Sequence, residues 1–446
     1  MKQSNNNGFT HFESLYPEDS RFEEIQKILD FLKEGNSCQL IGLPGSGKSN
    51  LLRMLAYNHK IRVKHLGENQ KNVHFVYMNF SEVKNRSLFD VNKYIFLSLA
   101  DSLRDRELIN EHREIHRIFK EHLSLNDELV LFQGLKEAFD CLSIEKKLSI
   151  IFLFDRFDEY IPVISSEFFA NLRILRNKAK YRFASIFSLT RPLEETLITE
   201  ILNQFYEFIA DKIVYLNIKD KIGLDFRISY LEKVSGKKIK KELIEKLISL
   251  TGGHSKLTRL ATEIVTSSDF PKENIADFLI ERKQIKACLF EIWSFLTPFE
   301  QKSMAKKINL EQLNLLEKIG LIKNGKISIP LLEMFLDKNN ALIKIASDKI
   351  IYDQNTNQVK KGEIVLSDAL TTLEFRLLKF LIDSHEKILE RNEIISAVWK
   401  DTQTTAGVTD QALDQLIFRV RKKIEDDPNN PKHLQTVKGR GLKFTS

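Results

Sequence analysis

Residues 42–49 read Gly42-Leu43-Pro44-Gly45-Ser46-Gly47-Lys48-Ser49, between an apolar strand-like run from Ser37 to Ile41 and a helix-like run from Asn50 to Tyr57. Glycines at this spacing let backbone N–H groups turn inward around an anion, and a helix that begins at the loop points its positive end at the same place. The stretch therefore predicts a phosphate-binding loop. Its binding residues are Gly42, Pro44, Gly45, Ser46, Gly47, Lys48, Ser49 and Asn50, with Lys48 reaching the β and γ phosphates and the Ser49 hydroxyl a ligand for Mg²⁺. A nucleoside triphosphate, ATP by general expectation, is the implied cofactor.

Working outward, Leu148 to Phe154 is almost wholly apolar, as a parallel strand buried on both faces should be. It runs into Asp155-Arg156-Phe157-Asp158-Glu159, and a carboxylate at the end of such a strand is where an α/β sheet places metal-binding acids. Asp155 is the candidate for the metal. Glu159, with Asp158 as the competing choice, is the candidate that polarises the attacking water. A third run, Phe183 to Leu189, leads to Thr190-Arg191-Pro192. Arg191 stands where a guanidinium would meet the γ phosphate, or pairs with a surface acid. Further strands are expected at His74 to Phe80 and Ile213 to Ile218. The alternation with helical segments implies an α/β fold with a doubly wound parallel sheet.

These motifs, GLPGSGKSNLLRML, FLFDRFDE and SLTRP, resemble those of the STAND group of signal-transducing P-loop ATPases, relatives of the AAA+ class. The stretch Thr251-Gly252-Gly253-His254-Ser255-Lys256-Leu257-Thr258-Arg259-Leu260 resembles the start of a helix in that group's small lid domain, with Ser255 where proline is frequent. The resemblance implies that His254 and Arg259 approach the nucleotide, while the glycines alone are equally compatible with a helix cap. Residues 287–337 resemble a short winged helix, with a hairpin signal at Asn324-Gly325; a plain helical bundle is the rival.

After Lys338-Asn339-Asn340 the character changes. Short strand candidates at Lys349–Asp353, Gln358–Lys360 and Ile364–Leu366 precede three helix-like segments, 371–383, 391–399 and 409–425. In the last of these, Leu413, Leu416, Ile417, Val420 and Ile424 form the core stripe, and Gln415, Arg419, Lys422 and Lys423 fall on other faces. From Gln415 to Ser446 there are eight lysines and arginines against three acids. The segments LTTLEFRLLKFL, ERNEIISAVW, DQLIFRVRKKIE and LQTVKGRGLKF resemble, in order, the winged-helix DNA-binding domain of OmpR/PhoB-type response regulators. The resemblance implies double-stranded DNA as partner, with Arg419 and Lys423 contacting it from the third helix and Thr436, Lys438 and Arg440 from the wing. Leu416 stands where that family often has histidine. A winged helix that binds protein is the bland alternative.

Length and composition agree. A chain of 446 residues exceeds one ordinary core, and 29% charged with 42% hydrophobic residues describes a globular protein; the net charge of +7 is modest. The absence of a long apolar run and of a secretory pattern predicts no membrane association and a cytoplasmic, prokaryotic location, nucleoid-associated when bound to DNA. Cys38, Cys141 and Cys288 read as buried, reduced thiols, and His112, His116 and His122 as solvated side chains rather than ligands. The expected organisation is an ATPase domain at 1–219, a helical lid at 220–286, a middle winged helix at 287–340 and a DNA-binding winged helix at 341–446. The expected activity is slow ATP hydrolysis driving a switch, with homo-oligomerisation possible on ATP binding. A transcriptional regulator is the leading role; a replication or partition initiator and a defence or stress ATPase are the alternatives.

Overall fold

The computed structural model describes residues 11–445 apart from 198, 268–269, 272–273, 339–349, 354–356, 362–363, 400–409 and 426. Of the sequence expectations, the amino-terminal stretch 1–10, the Asn339-Asn340 junction, Lys349 and Thr409 lie outside the described residues. The chain divides into two compact units, residues 1–270 with 318–320, and residues 271–317 with 321–446.

The first unit is built on five strands: β1 (Cys38–Ile41), β2 (Val73–Asn79), β3 (Ser149–Asp155), β4 (Phe183–Leu189) and β5 (Ile213–Tyr215). Their order across the sheet is β2-β3-β4-β1-β5 and every pairing is parallel. All seven residues of β4 and six of seven in β3 are buried, which explains why both read as continuous apolar runs. Because β4 lies between β1 and β3, the loops that follow these three strands open at one end of the sheet. That end holds the P-loop, the acidic turn and Arg191.

An aromatic cluster fixes the acidic turn. Phe157 is fully buried, with its ring centroid 4.8 Å from that of Phe187 and 5.1 Å from that of Phe80. Phe154 lies 5.1 Å from Phe187 in the same cluster. Edge-to-face and tilted packing of this kind anchors the turn from within the core. Arg156, in the left-handed region at φ 54°, reverses the chain so that Asp155 and Asp158 flank a buried ring. Truncating Phe157 to Ala would cost about 3–5 kcal/mol and loosen both acids.

Three helices, Lys221–Ser235, Lys241–Leu250 and Ser255–Ser267, follow the sheet. The first is capped by Asp220, whose carboxylate accepts from Gly223 N at 3.0 Å, and it ends at Gly236 in the left-handed region.

In the second unit, the helix Pro298–Lys306 starts with a reciprocal capping box between Thr297 and Glu300. The two-stranded ribbon β6 (Ile322–Lys323) and β7 (Lys326–Ile327) turns at Asn324 and Gly325, both at positive φ, as a two-residue hairpin requires. Further on, β8 (Ile350–Asp353), β9 (Gln358–Lys361) and β10 (Ile364–Val365) form an antiparallel sheet ahead of the helices Thr372–Asp383, Arg391–Val398 and Asp410–Ile424. The strands β11 (Ile388–Leu389), β12 (Leu434–Val437) and β13 (Gly441–Phe444) close the segment, with β12 and β13 forming the wing. Its core takes Leu413, Leu416, Ile417, Val420 and Ile424 from the last helix, the stripe expected from helical periodicity. This is a winged-helix arrangement.

Candidate functional site

The helix Lys48–Tyr57 begins at Gly47, which has no side chain to cap it, so the first-turn N–H groups face the loop's concavity. Gly45 is required on two counts: its φ is +75°, and a Cβ there would come within 2.9 Å of both His254 Cε1 and Lys256 Cβ. The crowding comes from the Ser255–Ser267 helix, whose start sits on the loop. Lys256 N donates to Gly45 O at 3.1 Å and the Ser255 hydroxyl to Ser46 O at 3.1 Å. His254 Nδ1 accepts from Leu257 N at 3.3 Å, which leaves Nε2 as the protonated nitrogen that donates to Pro44 O at 2.8 Å. Three successive residues at the start of this helix thus satisfy three successive loop carbonyls. Arg21 adds a fourth tie, donating through Nη2 to Ser46 O at 3.2 Å while its Nε pairs with Asp220 at 3.3 Å.

Lys48 Nζ donates to Gly42 O at 2.5 Å and Leu43 O at 3.0 Å, so the ammonium is held over the loop. The Ser49 hydroxyl donates to Asp155 Oδ1 at 3.0 Å, joining residues 106 positions apart. Asp155 is buried, and its two oxygens are both engaged: Oδ1 also accepts from Arg156 N at 3.0 Å, and Oδ2 from the Tyr77 hydroxyl at 2.7 Å. A hydroxyl beside a carboxylate is a hard oxygen donor set that suits Mg²⁺. Asn50 Nδ2 donates to the Tyr16 hydroxyl at 3.3 Å rather than into the loop.

The two competing acids have different surroundings. Asp158 Oδ1 accepts from Thr190 N at 3.1 Å and Thr190 Oγ1 at 3.0 Å, at the end of β4. Burial raises its carboxyl above the ordinary range, opposed by the charge of Lys48. Glu159 faces Lys84 at 3.6 Å and Arg156 at 3.5 Å. Arg191 lies 3.5 Å from Glu195 one turn along, and Arg259 donates through Nη1 to both carboxylate oxygens of Glu263, at 2.7 and 3.0 Å.

In the winged helix the sequence-chosen residues separate into two groups. Glu374 is 1% exposed, and Lys423 Nζ reaches its Oε2 at 2.5 Å and Arg419 Nε its Oε1 at 3.3 Å. Both cations are therefore engaged with an acid at the start of the first helix, where Glu374 also closes a capping box with Thr371. Gln415 is buried, and Lys422 lies over the Phe418 ring at 5.6 Å. On the wing, Thr436, Lys438 and Arg440 are all exposed, with the Thr436 hydroxyl accepting from Arg421 Nη2 at 2.7 Å. Gly441 allows the wing to pass Leu389: its φ is +125°, and a Cβ would fall 2.0 Å from Leu389 O. Glu425 sets the wing's entry by accepting from the backbone N–H groups of Lys432, His433 and Leu434 at 2.7–2.9 Å.

The sequence did not point to Tyr77, Arg53, Arg21 or Glu374. A signal existed for two of them. Arg53 follows Ser49 by four residues and so shares its helix face, and Glu374 follows Thr371 in a capping-box pattern.

Residues 368–444 match the family described as transcriptional regulatory protein, C terminal. Over 106 residues the chain is 39% identical to a probable transcriptional regulator ycf27 of Galdieria sulphuraria, covering 24% of this chain and 40% of that one. Over 141 residues it is 30% identical to the alkaline phosphatase synthesis transcriptional regulatory protein PhoP of Bacillus subtilis, covering 32% and 55%. The chain thus spans about half or less of the length of these curated relatives. Among solved structures, the Walker-type ATPase PABY2304 of Pyrococcus abyssi aligns over 79% of this chain and 95% of its own at 16% identity, with a TM-score of 0.42. The Klebsiella pneumoniae RstA DNA-binding domain, solved in complex with the RstA box, aligns over 22% and 90% at 26% identity, with a TM-score of 0.19. The fold is defined by the parallel order β2-β3-β4-β1-β5 and by the motifs at Gly42–Ser49 and Asp155–Glu159. The chain joins a P-loop ATPase-type α/β fold to a carboxyl-terminal segment of the transcriptional-regulator type. No helix among the described residues is long and apolar enough to cross a membrane.

Proposed function

We propose that this chain is an ATP-dependent switch that controls a DNA-binding winged helix, and that its role is transcriptional regulation. The observation that carries the reading is the 3.0 Å contact between Ser49 Oγ and Asp155 Oδ1, which brings the P-loop and the acidic motif to one point. Lys48, Ser49 and the loop N–H groups hold the triphosphate, and Ser49 and Asp155 hold Mg²⁺, which supplies charge neutralisation between the phosphates when bound. Asp158 is favoured over Glu159 for orienting the attacking water, because it lies at the strand ends within the influence of Lys48. Arg191 and Arg259 complete the charge around the γ phosphate after exchanging their present acid partners.

The lid contacts support a switch. His254, Ser255 and Lys256 bond the same carbonyls that move if the loop reshapes around phosphates, so nucleotide state and lid position are linked. The division into ATPase core, helical lid, middle winged helix and DNA-binding winged helix is the functional organisation we adopt, and STAND-type signalling is its nearest description. ATP-dependent self-association and a cytoplasmic, nucleoid-bound location belong to the same reading. On DNA, Lys438, Arg440 and Thr436 act from the wing and Lys422 from the helix.

Mapping of bound chromosomal sites in cells carrying the wild-type chain or Lys48→Ala tests the role. Binding at many promoters, changed by the variant, is the expected result. A single origin-like locus would replace the regulator with an initiator.

A further inference from the structure

Tyr77 lies on β2, two residues before the strand's end, and its hydroxyl donates to Asp155 Oδ2 at 2.7 Å across to the end of β3. Its ring is not loose. The Arg53 guanidinium sits 5.0 Å from the ring centroid, and Arg53 is itself paired with Glu13 at 3.5 Å. Arg53 and Ser49 are four residues apart on one helix, so they share a face: Ser49 meets Asp155 Oδ1 while Arg53 clamps the phenol that meets Oδ2. The carboxylate is thus held at both oxygens by two groups fixed relative to the same helix.

A carboxylate held at one oxygen rotates about its last torsion, which is broad and two-fold. Held at the second oxygen as well, it presents Oδ1 beside the Ser49 hydroxyl in one orientation. Partners behind a metal's direct ligands set affinity in this way.

We propose that Tyr77 is a positioning residue for the cation side of the site, orienting the Asp155 carboxylate toward Ser49 and thereby setting Mg²⁺ affinity. The inference rests on the nucleotide–Mg²⁺ reading above and adds to it the residue that tunes the metal. Arg53, through the ring, links the P-loop helix to the same carboxylate.

Tyr77→Phe removes the hydroxyl and keeps the ring under Arg53. Binding of a fluorescent ATP analogue by the full-length chain is measured in EDTA and across a Mg²⁺ titration, with Mn²⁺ binding to the nucleotide complex followed by electron paramagnetic resonance. Tyr77→Phe is expected to leave metal-free nucleotide affinity within about twofold of wild type and to raise the half-saturating Mg²⁺ and the Mn²⁺ dissociation constant about tenfold. Equal metal dependence in the two proteins would overturn the role of Tyr77 and leave the metal reading intact. Loss of metal-free binding would also overturn it, by showing that the phenol supports the fold. A wild-type chain whose nucleotide binding ignores Mg²⁺ would sink both the inference and the reading beneath it.

Discussion

The P-loop end of the first unit and the winged helix of the second were equally suggestive as sequence, yet their chosen side chains behave differently. At the P-loop, Ser49 meets Asp155 within hydrogen-bond distance across β4, and Lys48 is held over the loop by the carbonyls of Gly42 and Leu43. On the winged helix, Arg419 and Lys423 turn to the buried carboxylate of Glu374, and only the wing's Thr436, Lys438 and Arg440 stand exposed. A phosphate loop works through its backbone and one short spacing, so the local sequence carries nearly all of its geometry. A basic helix face does not decide where long cationic side chains end, because a distant acid can claim them.

The largest effect that would test this contrast concerns Glu374. Glu374→Ala removes the carboxylate shared by Arg419 and Lys423 together with the capping box, and should destabilise the winged helix by about 1–3 kcal/mol, read from denaturant unfolding. A loss below about 0.5 kcal/mol would mean that the two cations are surface groups after all. Burial alone would raise the Glu374 carboxyl, but Lys423, Thr371 N–H and Arg419 outweigh it, so the folded value lies below the ordinary 4.5. With the folded value depressed, this stability is present above pH 4.5 and is lost as pH falls through the lower folded value. Wild type should therefore lose winged-helix stability in acid more steeply than Glu374→Gln.

Next in size is Lys48→Ala, which removes a charged donor from the phosphates and should weaken ATP binding about 10–100-fold, measured by calorimetry. Unchanged affinity would mean that the loop carbonyls are the ammonium's permanent partners. On the other side of the comparison, Lys438→Ala with Arg440→Ala should lower the slope of log affinity against log salt by about 2, if each touches one phosphate. Lys423→Ala should leave that slope unchanged and reduce stability instead; the reverse pattern would put Lys423 on the DNA beside Lys422. The smallest effect is expected from His254→Ala, which deletes one lid-to-loop hydrogen bond worth about 1 kcal/mol. Faster nucleotide release by about fivefold at that scale would show the lid gating the loop, and an identical release rate would separate the two.

Much of the fold was legible. The runs at 148–154 and 183–189 are buried strands because both faces of a parallel sheet are covered, and the stripe from Leu413 to Ile424 packs as helical spacing requires. Asp155 was legible because it ends such a strand. Tyr77 was not, since it meets Asp155 from 78 positions away and the strand's own sequence gives no hint of which hydroxyl reaches a neighbour's end. Glu374 was hidden likewise, 49 positions from Lys423, and looked only like a capping residue. That Asp158 and not Glu159 bonds the end of β4 was not legible either, since it follows from the way the buried Phe157 ring anchors the turn.

In the proposed switch, nucleotide state at the P-loop sets the DNA affinity of the winged helix. The direct measurement is the affinity of the full-length chain for a mapped promoter fragment with ATP, with ADP and without nucleotide, at fixed salt and Mg²⁺. The switch predicts that at least one state differs from the others by about tenfold or more, equivalent to roughly 1.4 kcal/mol of coupling, and that Lys48→Ala abolishes the difference. Equal affinity in all three states, with ATP demonstrably bound, would contradict it.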